Sequence, residues 1–584
     1  MSLPNHTNFK SHFEDLLRHA LCTLSAADLD ISIEFSRPKQ IDHGDYSCNL
    51  AMQLAKPLRK SPREIATILI NAMPASPHLE KVEIAGAGFI NLFLKTASKQ
   101  QFPRIVLESG KKFGYGTFGS DRKIQVEFVS ANPTGPLHVG HGRGAAFGAS
   151  LSNILTAAGF SVSREYYVND AGRQMDILAT SVWLRYLELN GQNIPFPSNG
   201  YQGEYVRDMA KLIYKAHGSN YVPQHEMLTS TVTSEIKEEG AAEILLDQLI
   251  SEAKNSLGQD YVYIHNFVLT EQLSDCRNDL MEFGVVFDEW FSELSLFEND
   301  AVSKVIASLK KNNFLYLKDG ATWFRSTDFG DEKDRVVQRE NGKFTYFASD
   351  IAYHLNKFQR GFEQIINVWG ADHHGYIPRM KAAMQALTLD PTKLEIALVQ
   401  FAVLYREGVK VPMSTRSGEF VTLRELRKEV GNDAARFFYL LRKSDQHLDF
   451  DLDLAKSQNN DNPVYYVQYA HARVCSVMKQ WGENPSLLTA ADTSQLSSAA
   501  ELSLLQKLID YPEIVAVSAR DLSPHLVAFY LRELAAEFHS YYNSSRFLVP
   551  EIPIRLARLA LISSIRQVLV NGLTLLGVSA PDKM

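Results

Sequence analysis

Ala131-Asn-Pro-Thr-Gly-Pro-Leu-His-Val-Gly-His141 is the stretch of this chain that decides its fold. The alternating run before it, Lys123–Val129, predicts a short β-strand, and the small residues after it, from about 142 to 158, predict a helix. A strand, a tight Gly/Pro turn and a helix start bring backbone N–H groups and the positive end of a helix dipole against a phosphate. The stretch therefore predicts a nucleotide-binding α/β domain.

Two histidines mark the start of this predicted helix. His138 and His141 are three residues apart, so both side chains can donate hydrogen bonds to a phosphoryl group. Gly140 between them carries no side chain and lets a nucleotide approach the backbone. A four-residue pattern such as His-x-Gly-His also occurs by chance. The alternative interpretation is a helix N-terminus that carries two histidines without a binding role. The strand before and the glycine-rich helix after favour a phosphate site.

Size and composition indicate a large soluble protein. A length of 584 residues predicts three or four domains, and 45% hydrophobic with 22% charged residues is ordinary for a globular chain. No apolar run approaches the about 20 residues that cross a bilayer, and the N-terminus does not resemble a signal peptide. We therefore expect a cytoplasmic protein without membrane contact.

Charge and cysteine content narrow the possible partners. The formal net charge is −7, so a nucleic-acid partner would have to meet a local basic surface. The four cysteines are far apart and form no Cys-x-x-Cys pair, which argues against a zinc ribbon and a disulfide framework.

The pattern along the chain predicts three units. Residues 1–112 alternate short helical and strand-like runs, as in a small α+β domain. Residues 120–455 alternate strands and helices, as in a parallel sheet covered on both faces, with a mainly helical insertion at about 174–299. Sheet signals return at Phe344–Tyr346, Gln364–Trp369 and Glu395–Tyr405. Residues 456–584 are helical almost throughout and predict a bundle of four or five helices.

Acidic residues in the sheet unit predict a subsite for a guanidinium group. Glu127 lies at the end of the first strand, and Asp350 lies one helical turn after Tyr346. Ligands of an open α/β sheet bind outside the carboxyl ends of its strands, so Ser130 and Asn132 can line the same pocket. Two carboxylates bind a planar guanidinium in bidentate fashion while an aromatic ring packs on it. A solvated strand-end carboxylate and a helix cap remain the plain alternatives for Glu127 and Asp350.

A second strand end predicts the nucleoside part of the site. In Val368-Trp-Gly-Ala-Asp-His-His-Gly375, Asp372 can accept the ribose hydroxyls and Gly370 leaves room for adenosine. His373 and His374 suggest a metal at first sight, but adjacent histidines rarely chelate one ion without further ligands. We therefore predict no protein metal site here.

A polar loop, Lys410–Glu419, follows the predicted strand Ile396–Tyr405. Its Met413-Ser414 centre resembles the Lys-Met-Ser-Lys signature of class I aminoacyl-tRNA synthetases, and the His-Val-Gly-His stretch resembles their first signature. Pro412 and Thr415 stand where that signature has lysines. Lys410 and Arg416 are the nearest cations, and either can supply the charge expected near the leaving pyrophosphate. An ordinary surface loop is the alternative.

The motifs together resemble the arginyl-tRNA synthetase family over almost the whole chain. They occur in that family's order: Glu127–His141, Asn169–Gly172, Tyr346–Tyr353, Trp369–Gly375, Met413–Gly418, Gly431–Arg436 and Asn462–His471. The resemblance implies a Rossmann-like class I catalytic domain with an insertion, an N-terminal domain that contacts tRNA and a helical anticodon-binding domain.

The resemblance also implies roles for single residues. Those implied to act in catalysis are His138, His141, Lys410, Ser414 and Arg416. Those implied to bind arginine are Glu127, Ser130, Asn132, His141, Tyr346, Asp350 and His374. Those implied to bind ATP are His138, Gly140, His141, Gly370, Asp372, Met413 and Ser414.

The activity implied by the resemblance is the ligation of L-arginine to its tRNA through an arginyl-adenylate. Mg²⁺ would arrive with ATP, and the chain would work as a cytoplasmic monomer that needs tRNA before adenylate forms. A synthetase for cysteine or glutamate is disfavoured by the acidic pair and the lack of zinc ligands. The altered Lys-Met-Ser-Lys loop leaves one alternative of another class, an inactive synthetase-derived tRNA-binding protein.

Overall fold

The computed structural model describes residues 9–24, 31–38, 43–192, 194, 196–223, 241–411 and 421–584. The described chain forms an N-terminal α+β unit, a central α/β unit and a C-terminal helical bundle. The predicted fold class is confirmed by this arrangement.

The N-terminal unit packs helices against an antiparallel sheet. The third helix starts as its sequence predicts: Ser61 accepts a hydrogen bond from the Glu64 N–H, and Pro62 occupies the first helical position. Its elements are α1 (Phe9–Leu21), β1 (Phe35–Ser36), β2 (Tyr46–Cys48), α2 (Leu50–Leu58), α3 (Pro62–Ala72), β3 (Leu79–Ala85), β4 (Phe89–Leu94), α4 (Thr96–Gln100) and α5 (Phe102–Ser109). The sheet order is β1-β2-β4-β3.

The central unit begins with the predicted strand, turn and helix. Gly148 lets the helix lie directly on the sheet, because a Cβ there would come within 2.2 Å of the Phe128 ring. The first elements are β5 (Lys123–Glu127), α6 (Val139–Ala157), β6 (Ser161–Val168) and α7 (Arg173–Leu189).

The insertion is helical, but it ends earlier than the sequence predicts. Its further described helices are α8 (Glu204–His217), α9 (Ala241–Leu257) and α10 (Gln259–Glu282). Strand β7 (Glu289–Ser292) follows, within the stretch predicted as helical, and pairs in parallel with β6. The prediction of helix up to residue 299 is wrong here because the four-residue strand is too short to give a clear period.

A small antiparallel sheet separates β7 from the second half of the main sheet. Its elements and neighbours are α11 (Leu294–Glu298), α12 (Ala301–Lys311), β8 (Leu315–Lys318), β9 (Ala321–Phe324), β10 (Arg335–Gln338) and α13 (Tyr346–Gln359). The predicted strand Phe344–Tyr346 is not a strand: Thr345 is the N-cap of α13, and Tyr346 is its first residue. Phe344 makes only an isolated bridge to Gln338.

The single strand predicted at Glu395–Tyr405 is two strands in two sheets. They break at Gln400 and Phe401. The remaining elements of the central unit are β11 (Gln364–Gly370), α14 (Ile377–Ala386), β12 (Leu394–Val399), β13 (Ala402–Arg406), β14 (Val409–Lys410), α15 (Leu423–Val430), α16 (Asn432–Tyr439), β15 (Leu448–Asp451) and α17 (Leu452–Lys456).

The main sheet is parallel and five-stranded. Its order, β12-β11-β5-β6-β7, places β5 at the centre with later strands on either side. The connections after β5 and β11 therefore diverge at one edge, and a crevice opens at the carboxyl ends of these strands. The second small sheet has the order β14-β13-β15.

The C-terminal unit is a bundle of four long helices, α18 (Pro463–Trp481), α19 (Ala499–Arg520), α20 (His525–Ser544) and α21 (Ile552–Leu576). Although the sequence predicts no run of membrane-spanning length, α21 is long and apolar enough to cross a bilayer. However, 78% of its most apolar window is buried inside the protein. This burial is that of a central bundle helix.

One hydrophobic core runs through all three units. A single cluster of buried side chains contains Phe13, Val126 and Leu573. Polar contacts join the same units: the Ser150 hydroxyl donates to the Leu576 carbonyl, and the Asn571 amide donates to the Phe113 carbonyl. The three units therefore pack against one another and share a core.

Candidate active site

A cleft of about 700 Å³ lies at the carboxyl ends of the main-sheet strands. Most of the predicted site residues line it together, although they come from distant parts of the sequence. They are Glu127, Ser130, Asn132, His138, Gly140, His141, Tyr346, Asp350, Gly370 and Asp372.

The chain turns sharply where β5 enters the cleft. Val129 and Ser130 have φ angles of 68° and 42°, in the left-handed region that residues with a Cβ rarely adopt. The turn directs the Ser130 hydroxyl to Glu127 Oε1 at 3.1 Å, and the same hydroxyl accepts from the Tyr167 N–H. The strained turn thus fixes both polar side chains at the strand end.

The two histidines form a capping box at the start of α6. His138 Nδ1 accepts from the Gly140 N–H at 3.1 Å, and His141 Nδ1 accepts from the His138 N–H at 3.3 Å. The rings stack with their centroids 3.7 Å apart. Because both Nδ1 atoms accept, a neutral ring carries its proton on Nε2.

Burial keeps these imidazoles neutral. It lowers the pKa of His138, and burial together with neighbouring His138 lowers the pKa of His141 to about 3. At neutral pH the pair therefore offers two Nε2–H donors beside the positive end of a 19-residue helix. This arrangement can bind phosphate oxygens and stabilise charge that develops on them.

The acidic end of the cleft is formed by α13. Asp350 accepts a hydrogen bond from the Tyr376 hydroxyl, and Tyr346, 58% exposed, lies at the mouth. The pKa of Asp350 is raised to about 7: burial is the largest cause, Glu293 and Glu127 add to the rise, and Tyr376 and Lys357 oppose it. A buried cation would bring this carboxyl into its charged form.

Glu293 is a third carboxylate of the cleft, which the sequence reasoning missed. It is 3% exposed and lines the cleft. Its Oε1 accepts from the Ser349 hydroxyl, but among the described residues its Oε2 has no hydrogen-bond partner. Burial raises its pKa. Glu293 directly follows β7, so recognition of that strand would have placed it at a carboxyl end.

The other end of the cleft is formed by the end of β11 and the β12–β13 break. Gly370, Asp372 and Phe401 line it. His373 also lines the cleft, whereas His374, the predicted arginine contact, does not. The geometry thus gives no support to a direct contact from His374.

The second signature lies mostly outside the described residues. Met413, Ser414 and Arg416 belong to the segment 412–420, and Lys410 is exposed in β14 away from the cleft lining. The chain after this segment returns to the site, because the Val139 N–H donates to the Val421 carbonyl and Thr422 bridges to His138.

Arg143 anchors α6 to the far wall of the cleft. Its guanidinium is 1% exposed and donates to the carbonyls of Gln400, Lys443 and Gln446 at 2.7–3.0 Å. The helix that carries the histidines is thereby fixed to the β12–β13 break.

One group of potential metal ligands lies far from the cleft among the described residues. His471, Cys475 and Asp582 place their ligand atoms within 4.8 Å of one another. His471 also bonds the Pro581 carbonyl, and the positive charge of Arg566 acts on the Cys475 thiol. The group therefore ties the C-terminal segment to α18 rather than offering an open cation site.

A parallel sheet with two histidines at the start of the helix that follows its first strand, and with acids at the strand ends, is typical of a class I aminoacyl-tRNA synthetase. Residues 103–448 match the family "tRNA synthetases class I (R), catalytic domain". Residues 9–94 match "Arginyl tRNA synthetase N terminal domain", and residues 467–584 match "DALR anticodon binding domain".

Relatives and solved structures match most or all of the chain. An arginine–tRNA ligase of Nitrosospira multiformis is 73% identical over 100% of both chains. An arginyl-tRNA synthetase structure from Campylobacter jejuni is 33% identical, covers 84% of this chain and 100% of its own, and has a TM-score of 0.73. The Thermus thermophilus structure, at 22% identity, covers 98% and 100% with a TM-score of 0.75 and shows the same fold. This chain belongs to the arginyl-tRNA synthetase family.

Proposed function

We propose that the cleft activates L-arginine with ATP and that the chain transfers the arginyl group to the 3′ end of tRNA. The sequence-based prediction of an arginine–tRNA ligase is confirmed by full-length relatives of that name. The observation that carries the placement of the chemistry is that one cleft joins three carboxylates at its acidic end, Glu127, Glu293 and Asp350, to the histidines His138 and His141.

The acidic end suits the arginine side chain. Asp350 and Glu293 are carboxyl groups whose pKa values are raised by burial, because the protein shields them from water. A bound cation would replace the lost hydration and stabilise their charged forms. Tyr346 at the mouth can pack on the guanidinium plane. Glu127, Ser130 and Asn132 line the same cleft, where they can hold the α-amino end of the amino acid.

The histidine end suits the triphosphate. With the amino acid held as above, its carboxylate faces the α-phosphate, and attack there forms arginyl-adenylate and releases pyrophosphate. The Nε2–H groups of His138 and His141 and the start of α6 can stabilise the charge on the phosphoryl oxygens. Asp372 at the end of β11 can accept the ribose hydroxyls, and Gly370 leaves space for the nucleoside.

Positioning and charge stabilisation account for the step without a covalent enzyme intermediate. Mg²⁺ enters as the counter-ion of the ATP substrate. In the second step a hydroxyl of the tRNA 3′ end attacks the activated carbonyl carbon, and the bond to the phosphate oxygen breaks to release AMP. The helical C-terminal domain, residues 456–584, would bind the anticodon, and residues 1–112 would contact the body of the tRNA.

ATP–pyrophosphate exchange tests this proposal. Exchange should depend on arginine rather than lysine, glutamate or cysteine, and should require cognate tRNA. Absence of exchange with every amino acid, while tRNA still binds, would support the inactive tRNA-binding alternative. Exchange with another amino acid would overturn the assignment of the acidic end.

A further inference from the structure

A buried lysine lies beneath the acidic end of the cleft. The Lys357 side chain is 0% exposed, and its Nζ donates to Glu127 Oε2 at 2.5 Å and to Asn367 Oδ1 at 2.8 Å. The ammonium also lies 4.3 Å from the centre of the Tyr353 ring. It never reaches the cleft, so it cannot touch the substrate.

We propose that Lys357 is a positioning residue for the arginine subsite, which fixes the Glu127 carboxylate at the strand end. This inference rests on the proposed function, because it assumes that the amino acid binds between Glu127 and Asp350.

The hydrogen bonds around Glu127 leave it free to accept from a ligand. Lys357 binds one carboxylate oxygen and the Ser130 hydroxyl binds the other. Each carboxylate oxygen has two lone pairs. Glu127 can therefore still accept a hydrogen bond from a ligand ammonium on the cleft side. The Glu127 side chain is only 10% exposed. Removing the lysine would therefore leave a largely buried carboxylate that has lost its cation.

A second chain of hydrogen bonds connects Lys357 to Asp350. The Asn367 amide donates to His354 Nε2 at 2.8 Å, and His354 Nδ1 donates to the Asp350 carbonyl at 2.8 Å. Burial lowers the pKa of His354 to about 3, so the ring stays neutral in this role. This chain of hydrogen bonds ends at the main-chain carbonyl of Asp350 rather than at its carboxylate. The buried ammonium therefore contacts Glu127 and supports the helical turn that carries Asp350.

The charge balance of the subsite explains why a fixed cation is needed. The titratable groups that interact with Glu127 are Tyr167 on β6 and Asp350, Tyr353 and Lys357 on α13. Glu293, after β7, acts on Asp350, so three carboxyl groups meet here. Among the described contacts, Lys357 is the cation that acts on two of them, Glu127 and Asp350. Lys357 lowers the pKa of Asp350, so without it more of that carboxyl would be protonated before arginine arrives.

The test compares Lys357→Met with Arg360→Met in the full-length enzyme. Arg360 is a matched control: it lies on the same helix and binds a buried carboxylate, Glu165, which does not line the cleft. The arginine KM and the ATP KM are measured by tRNA-dependent exchange between pH 6 and 9. Lys357→Met should raise the pH at which arginine binds well by at least about one unit, so the arginine KM near neutral pH should rise about tenfold. The ATP KM and the Arg360→Met profile should stay near wild type.

A double-mutant cycle keeps the test valid if Lys357→Met folds poorly. Lys357→Met combined with Glu127→Gln removes both members of the buried pair, which a protein tolerates better than the loss of one. If the lysine acts through Glu127, the double variant should have the arginine KM and pH profile of Glu127→Gln alone. Additive effects, or an unshifted pH profile in Lys357→Met, would overturn the role of Lys357. If Asp350→Asn leaves the arginine KM unchanged, the proposed subsite itself is wrong.

Discussion

Replacing Asp350 with asparagine removes one charge from the acidic end of the cleft with almost no change in volume. The carboxyl is buried and accepts from the Tyr376 hydroxyl, and an amide oxygen can keep that hydrogen bond. Truncating one member of a desolvated charge pair costs about 2–5 kcal/mol. Glu293 remains beside the guanidinium, so we expect the lower end, about 2–3 kcal/mol, which corresponds to an arginine KM about 30–150 times higher.

The assay is tRNA-dependent ATP–pyrophosphate exchange at pH 8, where a carboxyl with a pKa of about 7 is about nine-tenths ionised. The same substitution at the other end of the cleft, Asp372→Asn, is the control and should raise the ATP KM instead. If Asp350→Asn changes the two KM values equally, the residue supports the fold rather than arginine binding. An unchanged arginine KM would refute the assignment.

Three further predictions concern phosphate binding, pH and tRNA. His138→Ala and His141→Ala should each lower kcat about 10²–10³-fold, because each removes a donor to the reacting phosphate; exchange at the full rate in both would place the nucleotide elsewhere. In the wild-type enzyme the arginine KM should fall about tenfold from pH 6 to a plateau above pH 8, because Asp350 binds the cation only after it loses its proton near pH 7. Asp350→Asn should abolish this pH dependence, and a flat wild-type profile would contradict the prediction. Arg473→Ala should weaken tRNA binding, and the number of ions released on binding, read from the salt dependence of the affinity, should fall by about one. The control is Tyr541→Phe, whose filter-binding curve should match wild type. Tyr541 is 1% exposed and its hydroxyl donates to Glu501, so it cannot contact the tRNA.

The tRNA prediction uses a point substitution because the three units share one core. Arg473 lies over the rings of Tyr469 and Tyr542, which are partly exposed on the bundle and can stack on unpaired bases. Removal of the bundle after Ser457 would instead expose the face of α6 that packs on α19 and α21. Loss of tRNA binding in such a truncation would reflect unfolding as much as lost contacts.

The sequence by itself determined the class of fold and predicted the candidate phosphate site. The Asn-Pro-Thr-Gly-Pro turn and the glycine-rich helix after it depend on neighbouring residues in the sequence. Such local patterns can be recognised without knowledge of the tertiary structure. The same holds for Asp350 and Tyr346, because one helical turn fixes their common face.

Tertiary structure decided which distant residues complete the site. Glu293 follows a strand of only four residues, whose identity depends on pairing with β6, and Gln400–Phe401 break an apolar run that reads as one strand. The partnership of Lys357 with Glu127 spans 230 positions. No local pattern encodes such a pair, since the ammonium is stable in the core only where the fold supplies a carboxylate and an amide oxygen to replace water.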